Sequence, residues 1–310
     1  MTNPDDKKTA KISKRARFIR AIVAWYLDRI DARTADVLVT RKRFDKMAGK
    51  LRPAKNVEIK SDTVADLPAE WLTPAGAADD SLMLYWHGGA YLMGSCQSHR
   101  AMVSHIAKAA GVRALVPEYR LAPEHRFPAA LDDAVKLYRQ LIADGVKPEK
   151  IVVAGDSAGG NLTVAMLLAL RHAGDPMPKA TVLLSPWLDL GATGETMVTR
   201  KDQDPLFDPA ELPHVVERFC DDDKLKNPIV SPVYANVAGL PETLIQVGDD
   251  EILLSDSVRF AENIRAAGGK VHLDVWPGMW HVWQMFGGLI PEARRGTDKL
   301  GKFIREKLAA

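Results

Sequence analysis

From about residue 82 onward, short apolar runs alternate with longer stretches whose apolar residues recur at helical spacing. The runs Leu82–Trp86, Ala114–Val116, Ile151–Ala154, Thr181–Leu184, Thr243–Val247 and Val271–Trp276 read as strands. Most are continuously apolar, as strands covered on both faces should be. Between them, Asn161–Arg171 carries an apolar stripe, and Ser255–Ala267 does so up to the paired glycines 268 and 269. Strand followed by helix, repeated, predicts an open and mostly parallel α/β sheet. Its ligand site is then expected at the carboxyl ends of the strands.

Two stretches break the alternation. Residues 1–45 are helical in composition and rich in charge and aromatics, and Gly191 to about Asn227 shows no strand pattern. Amphipathic segments must bury their apolar faces on something, so the two are expected to form a helical cap over the open strand ends. There is no repeat, low-complexity segment or linker, and 310 residues with 46% apolar content are expected to make one domain with that cap.

Charge narrows the partners. The 42 basic and 40 acidic residues leave a net charge of +2, too little field to recruit nucleic acid or an anionic membrane. The basic run from Lys7 to Arg20 reads as a solvated face. The apolar stretch after it, Ala21–Leu27, is short and lacks a small-residue cleavage pattern. Nothing approaches the roughly 18–20 apolar residues that cross a bilayer. Two cysteines, Cys96 and Cys220, are too few for a disulfide framework and suit a reducing compartment. A cytoplasmic protein acting on a small molecule is the expectation, with no metal or organic cofactor.

The candidate chemistry sits where the strands end. Ile151–Ala154 runs into Gly155-Asp156-Ser157-Ala158-Gly159-Gly160, and a helix pattern follows at once. G-x-S-x-G between strand and helix is the context of a nucleophile elbow, in which small neighbours permit the strained turn that lifts a serine hydroxyl above the sheet. Ser157 is the expected nucleophile. After the first apolar strand comes His87-Gly88-Gly89-Ala90-Tyr91, where consecutive glycines let backbone N–H groups turn towards a developing oxyanion. Gly88 and Gly89 are the expected donors from this loop, with Ala90 as a further candidate. Ala158, the residue after the nucleophile, supplies another. His87 is expected to buttress the loop.

A serine hydroxyl needs a base at neutral pH. Of eight histidines, His281 follows the last strand in Pro277-Gly278-Met279-Trp280-His281, the position that completes the chain order serine, acid, histidine. The other seven suit surface or packing roles. The acid should follow Thr243–Val247, where Asp249, Asp250 and Glu251 crowd one loop and spacing does not choose among them.

These motifs together resemble the bacterial hormone-sensitive-lipase-like esterases, a family of α/β hydrolases. The likeness runs from about Leu82 to Phe286 and rests on HGGAY, Tyr119-Arg120-Leu121-Ala122-Pro123-Glu124, Phe127-Pro128-Ala129-Ala130, GDSAGGN, Leu184-Ser185-Pro186-Trp187 and the late histidine. It implies the α/β-hydrolase fold with an N-terminal helical cap, and hydrolysis of short- to medium-chain carboxylic esters through an acyl-enzyme. The family's acid precedes one arbitrary residue and then leucine, which selects Glu251, with Asp250 as runner-up. Ala90 stands where a third glycine is usual, Glu118 where an aspartate is, and Glu251 where aspartate is more common. The resemblance also makes a homodimer an expectation. A lactone or amide substrate, or a non-catalytic receptor on this scaffold, is the alternative function. Receptors of that kind lack the late histidine that this chain has.

Overall fold

Residues Ile151–Asp156 are buried at every position, so nothing but other strands can satisfy their backbone. In the computed structural model, which describes residues 12–27 and 34–309, they form the centre of an eight-stranded sheet. In chain order the strands are β1 (Val57–Val64), β2 (Leu67–Pro74), β3 (Ala78–Trp86), β4 (Val112–Pro117), β5 (Ile151–Asp156), β6 (Ala180–Leu184), β7 (Glu242–Gly248) and β8 (Val271–Trp276). Their order across the sheet is β1-β2-β4-β3-β5-β6-β7-β8. The six strands from β3 to β8 pair in parallel, and β2 and β1 are antiparallel additions beyond β4.

All six expected strands are present. The β1–β2 hairpin went unread because its cues are weak. Only Val57, Ile59 and Val64 of β1 are even partly buried, and its two-residue turn is Ala65-Asp66 at φ 53° and 67°. Such a turn ordinarily advertises itself as Asn-Gly or Asp-Gly.

Alternation along the strands sends side chains to opposite faces. Leu82 and Leu84 pack with Leu137, Leu141, Leu162 and Met166, from α4 (Ala129–Ala143) and α5 (Ser157–Ala173). Met83 and Tyr85 pack with Met102, Ile106, Leu300 and Ile304, from α3 (Cys96–Ala110) and α9 (Pro291–Ala309). At the other end of the sheet, Leu183 and Ile245 meet Phe260 and Ile264 of α8 (Leu254–Ala266). Each fully buried side chain of this kind contributes about 1.5–3 kcal/mol. The result is a rigid platform whose carboxyl edge carries the loops after β3, β5, β6, β7 and β8.

Of the stretches outside the alternation, the first is mainly helical where described, with α1 (Lys14–Leu27) and α2 (Val37–Ala48), while the later one is largely turns and loops around the short helices α6 (Thr196–Thr199) and α7 (Leu212–Phe219). Residues 1–11, with Lys7, Lys8 and Lys11 of the basic run, and residues 28–33 lie outside the described residues. Arg20 of α1 pairs with Asp250, after β7, and donates to the Gln203 carbonyl. Arg41 of α2 pairs with Glu124 and donates to the carbonyls of Leu92 and Ala122. Both helices are thereby tied to loops at the carboxyl edge.

Candidate active site

Ser157 is the first residue of α5, immediately after β5, and its φ is 52°. A non-glycine residue in that region is strained and is held there only by its surroundings. They leave no choice: a Cβ on Gly155 would lie 2.3 Å from the Gly159 carbonyl oxygen, and one on Gly159 would lie 2.1 Å from that of Trp86. No side chain caps α5, so the first-turn N–H groups are left for an anion beside the serine.

The loop after β6 links this elbow to the other end of the site. Trp187 N–H donates to the Ser157 carbonyl at 3.1 Å. Two residues earlier, the Ser185 hydroxyl donates to Glu251 Oε1 at 2.7 Å and accepts the Val282 N–H at 3.2 Å. Gly248 N–H reaches the same Oε1 at 2.6 Å. The other oxygen, Oε2, lies 3.0 Å from His281 Nδ1. Both partners are buried, Glu251 at 0% exposure and His281 at 5%. A carboxylate accepting at Nδ1 holds the proton there and leaves Nε2 with a lone pair, the tautomer a general base requires. The ring of Phe207 meets the imidazole edge-on at 4.8 Å.

The three neighbouring carboxylates separate cleanly. Asp250 is engaged by Arg20, and Asp249 accepts the Gly278 N–H. Only Glu251 faces His281.

The glycine loop differs from expectation at one residue. Gly88 N–H donates to Asp156 Oδ1 at 3.0 Å, so this amide is spent inside the protein and is not available to an oxyanion. Of the expected donors, Gly89 and Ala158 are left, with Ala90 as the further candidate. Gly89 has φ 116°, and a Cβ there would sit 2.2 Å from the Met93 carbonyl oxygen, so only glycine makes this turn. Ala90 follows at φ 57°.

Asp156 is the hub behind the loop. Its carboxylate also accepts the Tyr85 hydroxyl at 2.8 Å and lies 3.3 Å from His99 Nε2. Burial alone would push this carboxyl up; the facing His99 charge and the bonds from His99, Tyr85 and Gly88 outweigh it and hold it below the usual carboxylate range. For His99, burial works towards the neutral ring, and Asp156 overcomes it, so the imidazole titrates above its ordinary value. His87 behaves oppositely. Burial first, and then the nearby His99 charge, push it down to about 3, so it is neutral. It stacks on Tyr119 at 4.3 Å, and its Nδ1 lies 2.9 Å from the Gly88 carbonyl oxygen, which is a support for the loop.

Sequence reasoning thus passed over Asp156, His99 and Ser185. Asp156 and Ser185 lie inside GDSAGGN and LSPW, motifs already in view, but their partners stand 57 to 97 residues away. Among the described residues no three His, Cys, Asp or Glu side chains are grouped to hold a metal ion.

Residues 83–285 match the model of a family described by the alpha/beta hydrolase fold, within one residue at each end of the motif-bearing stretch. An acetyl-hydrolase of Streptomyces hygroscopicus is 43% identical over 243 residues, covering 78% of this chain and 81% of that protein. An esterase of Acinetobacter venetianus is 37% identical over 248 residues, covering 80% and 82%. The crystal structure of an esterase from the bacterial hormone-sensitive lipase family matches with a TM-score of 0.92 at 39% identity, over 96% of this chain and 99% of that one. The chain belongs to the α/β-hydrolase fold family. Within it, the chain is a carboxylic ester hydrolase of the hormone-sensitive-lipase-like kind.

Proposed function

We propose that ester hydrolysis in this protein runs on Ser157, His281 and Glu251. The Ser157 Oγ attacks the ester carbonyl carbon as His281 Nε2 takes the hydroxyl proton. The carbonyl oxygen becomes an oxyanion, held by the N–H groups of Gly89 and Ala158 with Ala90 alongside. The alcohol departs with the proton from the imidazolium, leaving an acyl-serine. Water, deprotonated by His281, then attacks the acyl carbon, and the carboxylic acid leaves as Ser157 regains its proton. Glu251 keeps the imidazole in its tautomer and faces the imidazolium in both steps. The buried 3.0 Å contact between His281 Nδ1 and Glu251 Oε2, linked through the loop after β6 to the strained Ser157 elbow, is the observation that carries this reading.

The segments holding α1, α2, α6 and α7 act in this proposal as the cap. The bonds of Arg20 and Arg41 to the loops at the carboxyl edge, and the Phe207 ring on His281, support that assignment. Short- to medium-chain acyl groups are the proposed substrates, in keeping with the acetyl-hydrolase similarity. No described helix is long and apolar enough to cross a membrane, and both cysteines are buried free thiols. A cytoplasmic location and a homodimer complete the proposal, the latter open to sedimentation analysis.

Ser157→Ala should abolish hydrolysis of p-nitrophenyl butyrate and labelling by a fluorophosphonate probe while leaving the melting temperature unchanged. Full activity in that variant would remove Ser157 from the mechanism. Rates across p-nitrophenyl esters of increasing chain length, with lactones and amides beside them, fix the substrate class. Faster turnover of either alternative would overturn the ester preference.

A further inference from the structure

The acid loop is held from the cap side as well as from the sheet. Ile252, the residue after Glu251, is fully buried. Its N–H donates to Asp204 Oδ2 at 2.9 Å, and its carbonyl accepts the Thr196 hydroxyl at 2.6 Å. The other oxygen of Asp204 accepts the N–H groups of Leu206 at 2.8 Å and Phe207 at 3.3 Å. One carboxylate therefore spans two elements: the backbone beside Glu251, and the turn that presents Phe207 to His281.

We propose that Asp204 is a positioning residue of this active site, clamping the cap turn to the acid loop and setting an anion opposite the His281–Glu251 pair. This rests on the reading of His281 as base and Glu251 as its acid. A neutral hydroxyl such as that of Thr196 suffices to hold the Ile252 backbone. A carboxylate does more, because its charge favours the imidazolium that forms when Ser157 loses its proton. Asp204 titrates at about 6, raised by burial and by Glu251 and drawn back by the Ile252 and Leu206 N–H groups and by His281. The charged and titratable groups around it are Glu251 and His281, with Asp250 and Arg20 beside them; Arg20 also reaches the carbonyl of the preceding residue, Gln203.

The test compares Asp204→Asn, Asp204→Ala and Thr196→Val in the full chain, using p-nitrophenyl butyrate. Asp204→Asn removes the charge and keeps one acceptor, so it stands in if the alanine variant fails to fold. Asp204→Ala should lower kcat by about 10- to 100-fold, the scale of a small misplacement at the reacting atoms, with little change in KM. In both Asp204 variants the acid limb of the kcat/KM profile should move to lower pH, since loss of a nearby anion disfavours the imidazolium. Thr196→Val should lower the melting temperature without moving that limb. An unshifted limb in both Asp204 variants, whether or not stability falls, overturns the proposal. His281→Ala separates the two readings: if it still hydrolyses the ester, the triad reading itself fails, and with it this one. If it is inactive while Asp204 variants match the wild type, only the clamp is lost.

Discussion

Replacing His99 by alanine tests the hub behind the glycine loop. His99 and Asp156 are 1% and 2% exposed, with Nε2 and Oδ2 3.3 Å apart. Removing one partner of a buried pair strands the other's charge and typically costs about 3–5 kcal/mol. At roughly 2 °C per kcal/mol for a protein of this size, the melting temperature of His99→Ala should fall by roughly 6–10 °C. The sign of the pH dependence follows from the two shifts. Asp156, held below its ordinary value, stabilises the fold above the unfolded carboxyl pKa, and that contribution is lost as pH falls through its folded value. His99, held above its ordinary value, stabilises fully below the unfolded imidazole pKa, and its contribution is lost as pH rises through the folded value. The pair is therefore strongest between those limits. The gap between wild type and His99→Ala should narrow as pH rises from the unfolded imidazole value through the raised folded value and His99 deprotonates. Thermal or urea denaturation across a pH series measures it. A gap that is absent, or that stays constant or widens with pH, would refute the assignment of a buried charge pair.

Other substitutions probe the proposed machinery separately. Glu251→Gln leaves the backbone in place but removes the carboxylate that fixes the imidazole tautomer, so kcat should fall by about 10⁴-fold, as for the equivalent change in a serine protease triad. Steady-state kinetics on p-nitrophenyl butyrate decide this, and a loss below tenfold would transfer the role elsewhere. Ser185→Ala deletes the bond to Glu251 Oε1 and the acceptor of Val282 N–H, so kcat should drop by about 10- to 100-fold with little change in KM. Gly159→Ala would drive a methyl to 2.1 Å from the Trp86 carbonyl oxygen, backbone that has nowhere to go. The variant should fail to fold or lose activity, and soluble protein with wild-type turnover would contradict the packing at the elbow.

The sequence by itself determined the six parallel strands and the poles of the candidate site. Buried parallel strands are continuously apolar, so β3 to β7 were legible, β8 was legible from its place in the strand–helix alternation although it is only partly buried, and a serine between small residues at a strand–helix junction has few other uses. His281 was legible too, because position after the last strand is a property of chain order. The tertiary structure decided what depends on partners distant along the chain. Asp250 and Glu251 are adjacent carboxylates in one loop, and Arg20 and His281 settled which faces which. Gly88 and Gly89 are both glycines, and Asp156, far along the chain, took the amide of one. His99 reads as a packing residue until Asp156 is placed against it. The physical reason is the same in each case: local pattern records which backbone shape and which face a residue needs. A hydrogen bond or a charge pair is set by distance in space, and that exists only once the sheet has brought the loops together.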